Sequence, residues 1–108
     1  MINQGDILWL DLNPQSGHEQ KGRRPVVVVS NNDFHFLTGG KFAMVCPITN
    51  KARGHFMHIA LNEQTETTGY VMCEQAKVLD IHARNYTYIE KMPTNIFESV
   101  WQRVRAII

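Results

Sequence analysis

The chain has 108 residues, 44% hydrophobic and 19% charged, with a formal net charge of +1. That length suits one domain over residues 1–108, with a core large enough to need neither disulfides nor a structural metal, and the composition excludes a disordered chain. The near-neutral balance excludes a globally basic nucleic-acid binder, so contact with a polyanion must come from local patches.

Residues 7–12 are a short apolar run around Trp9, bounded by Gly5-Asp6 and Asn13-Pro14, which predicts a strand. Residues 13–25 read as a loop punctuated by Pro14, Gly17, Gly22 and Pro25. A loop that long in a compact domain is commonly functional. Val26-Val27-Val28-Val29 suits a strand buried on both faces. Residues 34–41 are ambiguous, with a turn at Thr38-Gly39-Gly40, and residues 42–48 form the next strand, with Pro47 near an end or edge. Further short extended segments cover residues 56–61, 69–73, 76–81 and 86–89. Only the C-terminus reads as helix: after Pro93-Thr94, the residues Phe97, Val100, Trp101, Val104 and Ile107 or Ile108 recur at helical spacing, which makes Phe97 and Trp101 core anchors. Many short strands and a terminal helix point to a curved antiparallel sheet or small barrel.

Cys46 and Cys73 each lie in an apolar run, in no metal-like spacing. They read as buried free thiols in a reducing compartment, with a disulfide as the alternative. The N-terminus has no basic, apolar leader, and no apolar run approaches the ~20 residues that span a bilayer. A soluble, cytoplasmic protein without membrane contact is expected.

The chemistry is concentrated in Gly17-His18-Glu19-Gln20-Lys21-Gly22-Arg23-Arg24-Pro25. An imidazole, a carboxylate, an amide and three cations fall within a few residues, and Arg24 stands at the mouth of a strand. Pro25 fixes the chain direction there. The alternative is a solvated loop whose glycines only turn the chain. The second element is Pro47-Ile48-Thr49, followed by Lys51 and Arg53. A Thr at a strand end is ordinarily a β-former or turn cap. The pairing of two strand ends, one bearing Arg24 and one Thr49, each beside a basic loop, raises its interest.

Gly5-Asp6-Ile7, Leu12-Asn13-Pro14, Gly17-His18-Glu19-Gln20 and Arg24-Pro25 with the valine run and Ser30 together resemble the N-terminal signature of the MazF/PemK family of toxin ribonucleases. Pro47-Ile48-Thr49 resembles that family's second motif. Glu74-Gln75-Ala76-Lys77 with Leu79-Asp80 and Arg84 resembles its third, with Ala76 where many members have Val. Each motif is weak alone, but together they run in order along nearly the whole chain. The resemblance implies an α+β, mainly β fold: a compact SH3-like barrel of antiparallel strands with flanking helices, one of them C-terminal, in the CcdB/PemK manner. It implies a homodimer with its RNA site along the subunit interface, and cleavage of single-stranded RNA at a short sequence. The family's catalytic Arg falls on Arg24, its catalytic Thr on Thr49, and the acidic residue of its first loop on Glu19. Candidate RNA contacts are Gln20, Lys21, Arg23, Lys51, Arg53, Gln75 and Lys77. No cofactor or metal is implied. The implied protein partner is a MazE-like antitoxin with an acidic, disordered tail, and DNA is met only indirectly through the antitoxin complex.

RNA carries its own nucleophile, since the 2′-OH lies beside the scissile phosphorus and attack needs little beyond alignment. Arg24 suits the charge on the phosphate and protonation of the leaving oxygen; Thr49 can donate to a phosphoryl oxygen. A guanidinium is a poor proton acceptor, so Glu19 or His18 is the easier general base. Trp9, Phe34 and Tyr86 can stack bases, although core or interface packing is the more common use of such residues. Three rivals stand beside this reading. His55-Phe56-Met57-His58 has the look of a ligand pair, but on a strand positions three apart face opposite sides, and no cysteine or carboxylate cluster accompanies it. A CcdB-like toxin would share the fold and bind DNA gyrase without catalysis. A plain peptide-binding barrel would leave the cationic loop without a role.

Overall fold

The computed structural model describes residues 1–13, 22–51 and 54–108. Strand β1 (Asp6–Asp11) pairs antiparallel with β2 (Arg23–Val28), Ile7 facing Val27 and Asp11 facing Arg23. β2 therefore begins inside the segment expected to be loop. Pro25 pairs with Trp9, while pairing of β2 with its other neighbour starts only at Val26. At Pro25 the strand is still an edge, where a missing N–H is tolerated.

The ambiguous segment after the valine run resolves into a short helix, α1 (Asn32–Leu37). The Asn31 side chain caps it by accepting from the Phe34 N–H at 2.9 Å. Strands β3 (Phe42–Thr49), β4 (His58–Ala60), β5 (Tyr70–Met72), β6 (Lys77–Asp80) and β7 (Thr87–Lys91) complete the sheet, and α2 (Thr94–Arg105) closes the described chain.

All pairings are antiparallel, in the order β4-β5-β3-β2-β1-β7, with β6 also on β3. β3 is the organising strand. Its residues from Phe42 to Val45 pair with β6, and Ile48 and Thr49 pair with β5. Pro47 lies near the end of β3, at the place where one partner gives way to the other and a missing N–H is tolerated. This change of partner curls the sheet, as expected of a barrel-like α+β fold.

The two faces of the central strands bury separate cores. One face carries Ile7, Val27, Cys46, Ile48 and Val71 against Ile96, Val100 and Val104 of α2, with Phe97 and Trp101 packed alongside. The other carries Leu8, Leu10, Val26, Val28, Ala43 and Val45 with Leu79 and Ile81. The valine run is buried on both sides as its composition predicts. Each buried aliphatic side chain stabilises the fold by roughly 1.5–3 kcal/mol relative to exposure. Cys46 and Cys73 are buried free thiols. The neighbouring Cys73 thiol and burial raise the Cys46 thiol well above its ordinary value. No helix among the described residues is long and apolar enough to cross a membrane.

Candidate active site

The ends of β2 and β3 create the site. Their register pairs Val26 with Pro47. Carried on by two residues, it sets Arg24 opposite Thr49 on the same face. Both line a cleft of about 480 Å³, together with Pro25, Ile48, Asn50 and Arg23. Glu66, Thr67 and Thr68 from the β4–β5 connection line it as well, with Trp9 and Ile89 from β1 and β7.

Thr49 is held firmly. It is 2% exposed, and its Oγ1 accepts the Lys51 backbone N–H at 3.2 Å. The hydroxyl proton is thereby left to donate. Behind it the chain passes at Gly69, whose φ is +115°. A Cβ there would stand 2.6 Å from the Thr49 carbonyl oxygen, so only glycine permits this approach. Close contact between the turn before β5 and the end of β3 fixes the floor of the cleft.

Arg23 borders the same cleft through a different set of bonds. Its guanidinium meets Asp11 Oδ1 at 3.1 Å and Thr87 Oγ1 at 3.1 Å. Asn85 donates to the other Asp11 oxygen, and the bonds from Asn85 and Arg23 hold that carboxyl below its usual range. Asn85 sits in the left-handed region, at φ +53°. Arg84 donates to the carbonyls of Asp11 and Asn13, each at 3.1 Å. The Leu12 N–H reaches Gly22 O at 2.9 Å, and the Gly22 N–H reaches Asn13 Oδ1 at 3.1 Å. These bonds cinch the root of the cationic loop beside Arg23 and Arg24.

Of the residues singled out in the sequence, Arg23, Arg24 and Thr49 meet in this cleft. Lys51 is exposed one residue beyond Asn50; Gln75 lies in the 3-10 turn Cys73–Gln75 and Lys77 at the start of β6. None of these three is among its lining residues. His18, Glu19, Gln20, Lys21 and Arg53 lie outside the described residues. Trp9 departs from the core reading: it is 41% exposed and faces the cleft across from Pro25. Its position near the end of β1, beyond the reach of α2, leaves it uncovered. Phe34 lines a separate apolar groove with Phe97 and Trp101, and Tyr86 is exposed. The imidazoles of His55 and His58 do not diverge as strand geometry predicts: a turn over residues 56–57, closed by the His58 N–H on His55 O at 2.9 Å, separates His55 from β4, and the rings lie 4.8 Å apart. His58 pairs with Glu74 at 3.0 Å. Among the described residues no three His, Cys, Asp or Glu side chains group to hold a metal.

Sequence reasoning passed over Asn50, Asp11, Glu66, Thr67, Thr68, Asn85 and Glu90. Glu90 accepts from the Thr67 N–H at 2.8 Å, the Thr67 hydroxyl at 2.7 Å and the Glu66 N–H at 3.2 Å. Partial burial pushes its carboxyl upward, but these bonds outweigh it and hold it below the ordinary range.

A curled antiparallel sheet carrying an Arg–Thr cleft at the ends of adjacent strands defines a small, mainly β protein of the α+β class. Residues 3–108 match the family of PemK-like, MazF-like toxins of type II toxin–antitoxin systems, and the chain belongs to that family. It is 33% identical over 111 residues to the endoribonuclease PemK of Escherichia coli, across 99% of this chain and 82% of that one. Its fold is similar to the crystal structure of MazF from Deinococcus radiodurans, with a TM-score of 0.89, 28% identity, and 98% and 94% of the two chains covered. A MazE–MazF crystal structure from the same organism matches with a TM-score of 0.82 at 28% identity, again over 98% and 94% of the chains.

Proposed function

We propose that this protein is an endoribonuclease toxin that cuts single-stranded RNA, mRNA in particular, at a short sequence and without a metal ion, so inhibiting translation and growth. The observation that carries the reading is the convergence of Arg24 and Thr49 on one cleft. Family membership and the resemblance to endoribonuclease PemK support it. The same match disfavours a gyrase-binding, non-catalytic toxin.

The cleft supplies what phosphodiester transesterification needs. The 2′-oxygen attacks the adjacent phosphorus, the bond to the 5′-oxygen breaks, and a 2′,3′-cyclic phosphate and a 5′-OH result. The nucleophile is part of the substrate, so holding it in line with the leaving oxygen removes most of the entropic barrier. Arg24 offers paired N–H donors to the phosphoryl oxygens as charge gathers there, and Thr49 donates one more bond. Arg24 also protonates the departing 5′-oxygen. Glu19 or His18, on the loop whose root Arg84 holds, takes the proton of the 2′-OH. Arg23, Gln20, Lys21, Lys51, Arg53, Gln75 and Lys77 are assigned to RNA binding.

One domain over residues 1–108 would act as a homodimer in the cytoplasm. The D. radiodurans MazE–MazF complex supports an antitoxin of MazE type as partner. An acidic disordered tail on that antitoxin would neutralise the cations of the cleft.

The test is a weakly structured RNA incubated with purified protein in excess EDTA, with the ends of the fragments identified chemically. The expected result is discrete cuts bearing 2′,3′-cyclic phosphate and 5′-OH ends. Cuts that need Mg²⁺, or that leave 5′-phosphates, would overturn the mechanism. Absence of cutting by folded protein would return the gyrase-binding reading.

A further inference from the structure

The β4–β5 connection, which lines the same cleft as Arg24 and Thr49, is built as a rigid polar surface. The connection between β4 and β5 folds on itself: the Gln64 N–H reaches Asn62 Oδ1 at 2.9 Å, the Thr65 N–H reaches Asn62 O at 3.2 Å, and the Thr65 hydroxyl donates to Thr67 O at 2.7 Å. Glu90, from the far edge strand β7, then ties down its tip with the three bonds from Glu66 and Thr67. The Thr68 hydroxyl donates to Asn50 Oδ1 at 3.1 Å, joining this turn to the residue that follows Thr49. Three chain segments remote in sequence are thus locked into one surface.

Such bracing is more than a surface turn needs for its own sake. Thr65 and Thr67 spend their hydroxyls on internal bonds and are 9% exposed. Glu66, Thr68 and Asn50 are exposed and present a carboxylate, a hydroxyl and an amide to the cleft. Among the described residues the Asn50 amide makes only the bond through its oxygen, which leaves its N–H donors for a ligand. A carboxylate accepts from the exocyclic amine or ring N–H of a base, and the Asn50 N–H groups can donate to a base acceptor. Trp9, on the same cleft, gives a face on which a base can stack without regard to its identity.

Resting on the ribonuclease reading, we propose that Asn50, Glu66 and Thr68 form the base-reading wall of the cleft. Glu90 is its positioning residue, setting which RNA word is cut without touching the RNA. A preorganised wall discriminates because a wrong base leaves its fixed donors and acceptors unpaired. Without Glu90 the tip of the turn loses three bonds at once, and the readers no longer hold one geometry.

The experiment compares wild-type protein with Asn50→Ala, Glu66→Gln, Glu90→Ala and Glu90→Gln. The cut words are mapped on a long RNA, and kcat/KM is measured on short RNAs carrying the preferred word or one changed base. Asn50→Ala and Glu66→Gln are each expected to relax one position of the word, reducing discrimination there on the order of tenfold. Glu90→Ala is expected to blur every position these readers contact. Glu90→Gln, which keeps an acceptor for the Thr67 and Glu66 N–H groups, is expected to restore most of the discrimination. Thermal melts separate this from unfolding, since a merely destabilised variant loses rate on all words equally. If every variant cuts the wild-type word with unchanged ratios between RNAs, the wall does not read bases and the proposal fails while the ribonuclease reading stands. If wild-type protein cuts no RNA, the ribonuclease reading fails first and this proposal falls with it.

Discussion

His35 illustrates what one buried residue does to the behaviour of the protein. It is fully buried at the C-terminal end of α1, with Nε2 2.6 Å from Ser30 Oγ, and that same oxygen accepts the Met44 N–H at 2.9 Å. Burial pushes the imidazole below its ordinary value, opposed more weakly by the Ile2 backbone and Asp6. A histidine that resists protonation only when folded makes the unfolded chain bind more protons, so stability rises with pH through that range. The contribution is fully present above the unfolded value of about 6.5 and is lost as pH falls below it. The urea midpoint is therefore expected to drop between pH 7.5 and pH 5.5, and His35→Gln to flatten that slope whatever its effect on absolute stability. A slope unchanged by the substitution would assign the pH dependence elsewhere. None of this was legible in the sequence, where His35 sits in a segment with no clear period. Arg24 and Thr49 were legible because family motifs cover both strand ends; the strand signals beside them, read alone, fit a solvated loop and an ordinary turn cap equally well.

At the scale of elements, the site depends on a close approach that only backbone geometry reveals. Gly69 lets the turn before β5 press against the Thr49 carbonyl. Gly69→Ala combines a positive φ with a clash against backbone atoms that cannot move aside cheaply, and is expected to destabilise the protein by about 1–3 kcal/mol. Because the displaced group is Thr49 itself, the cleavage rate should fall more than the lost folded fraction explains. Calorimetric melting and single-turnover rates on the same sample check this, and a rate falling only in proportion to folded protein would free Thr49 of the turn's support. The strands and α2 follow from apolar pattern and turn residues, with ends displaced by a residue or two. α1 did not emerge because six residues hold too little of a helical period, and its start is written only in the Asn31 cap. The early start of β2 at Arg23 was hidden by Gly22 and Pro25, loop-like residues that an edge position accommodates.

For the molecule as a whole, fold class and the Arg–Thr pair lie within reach of sequence motifs, while the polar wall formed by the β4–β5 connection does not. That wall needs the β4–β5 connection, the residue after β3 and a carboxylate from β7 to meet. Such meetings depend on strand order, and no local pattern around Glu66 or Glu90 announces them. The exposure of Trp9 was hidden for the same reason: whether an apolar strand residue is covered depends on which elements reach it. The proposed activity requires that the Arg24–Thr49 pair perform the chemistry. The most direct measurement is the single-turnover rate, in excess EDTA, of wild-type, Arg24→Ala and Thr49→Val proteins on one short RNA, each confirmed folded by circular dichroism. Loss of a preorganised donor at a developing oxyanion lowers the rate by about 10²–10³, and the account predicts a fall of that order for Arg24→Ala, with a smaller one for Thr49→Val. Rates within a few-fold of wild type in both variants would contradict it and place the catalytic groups elsewhere.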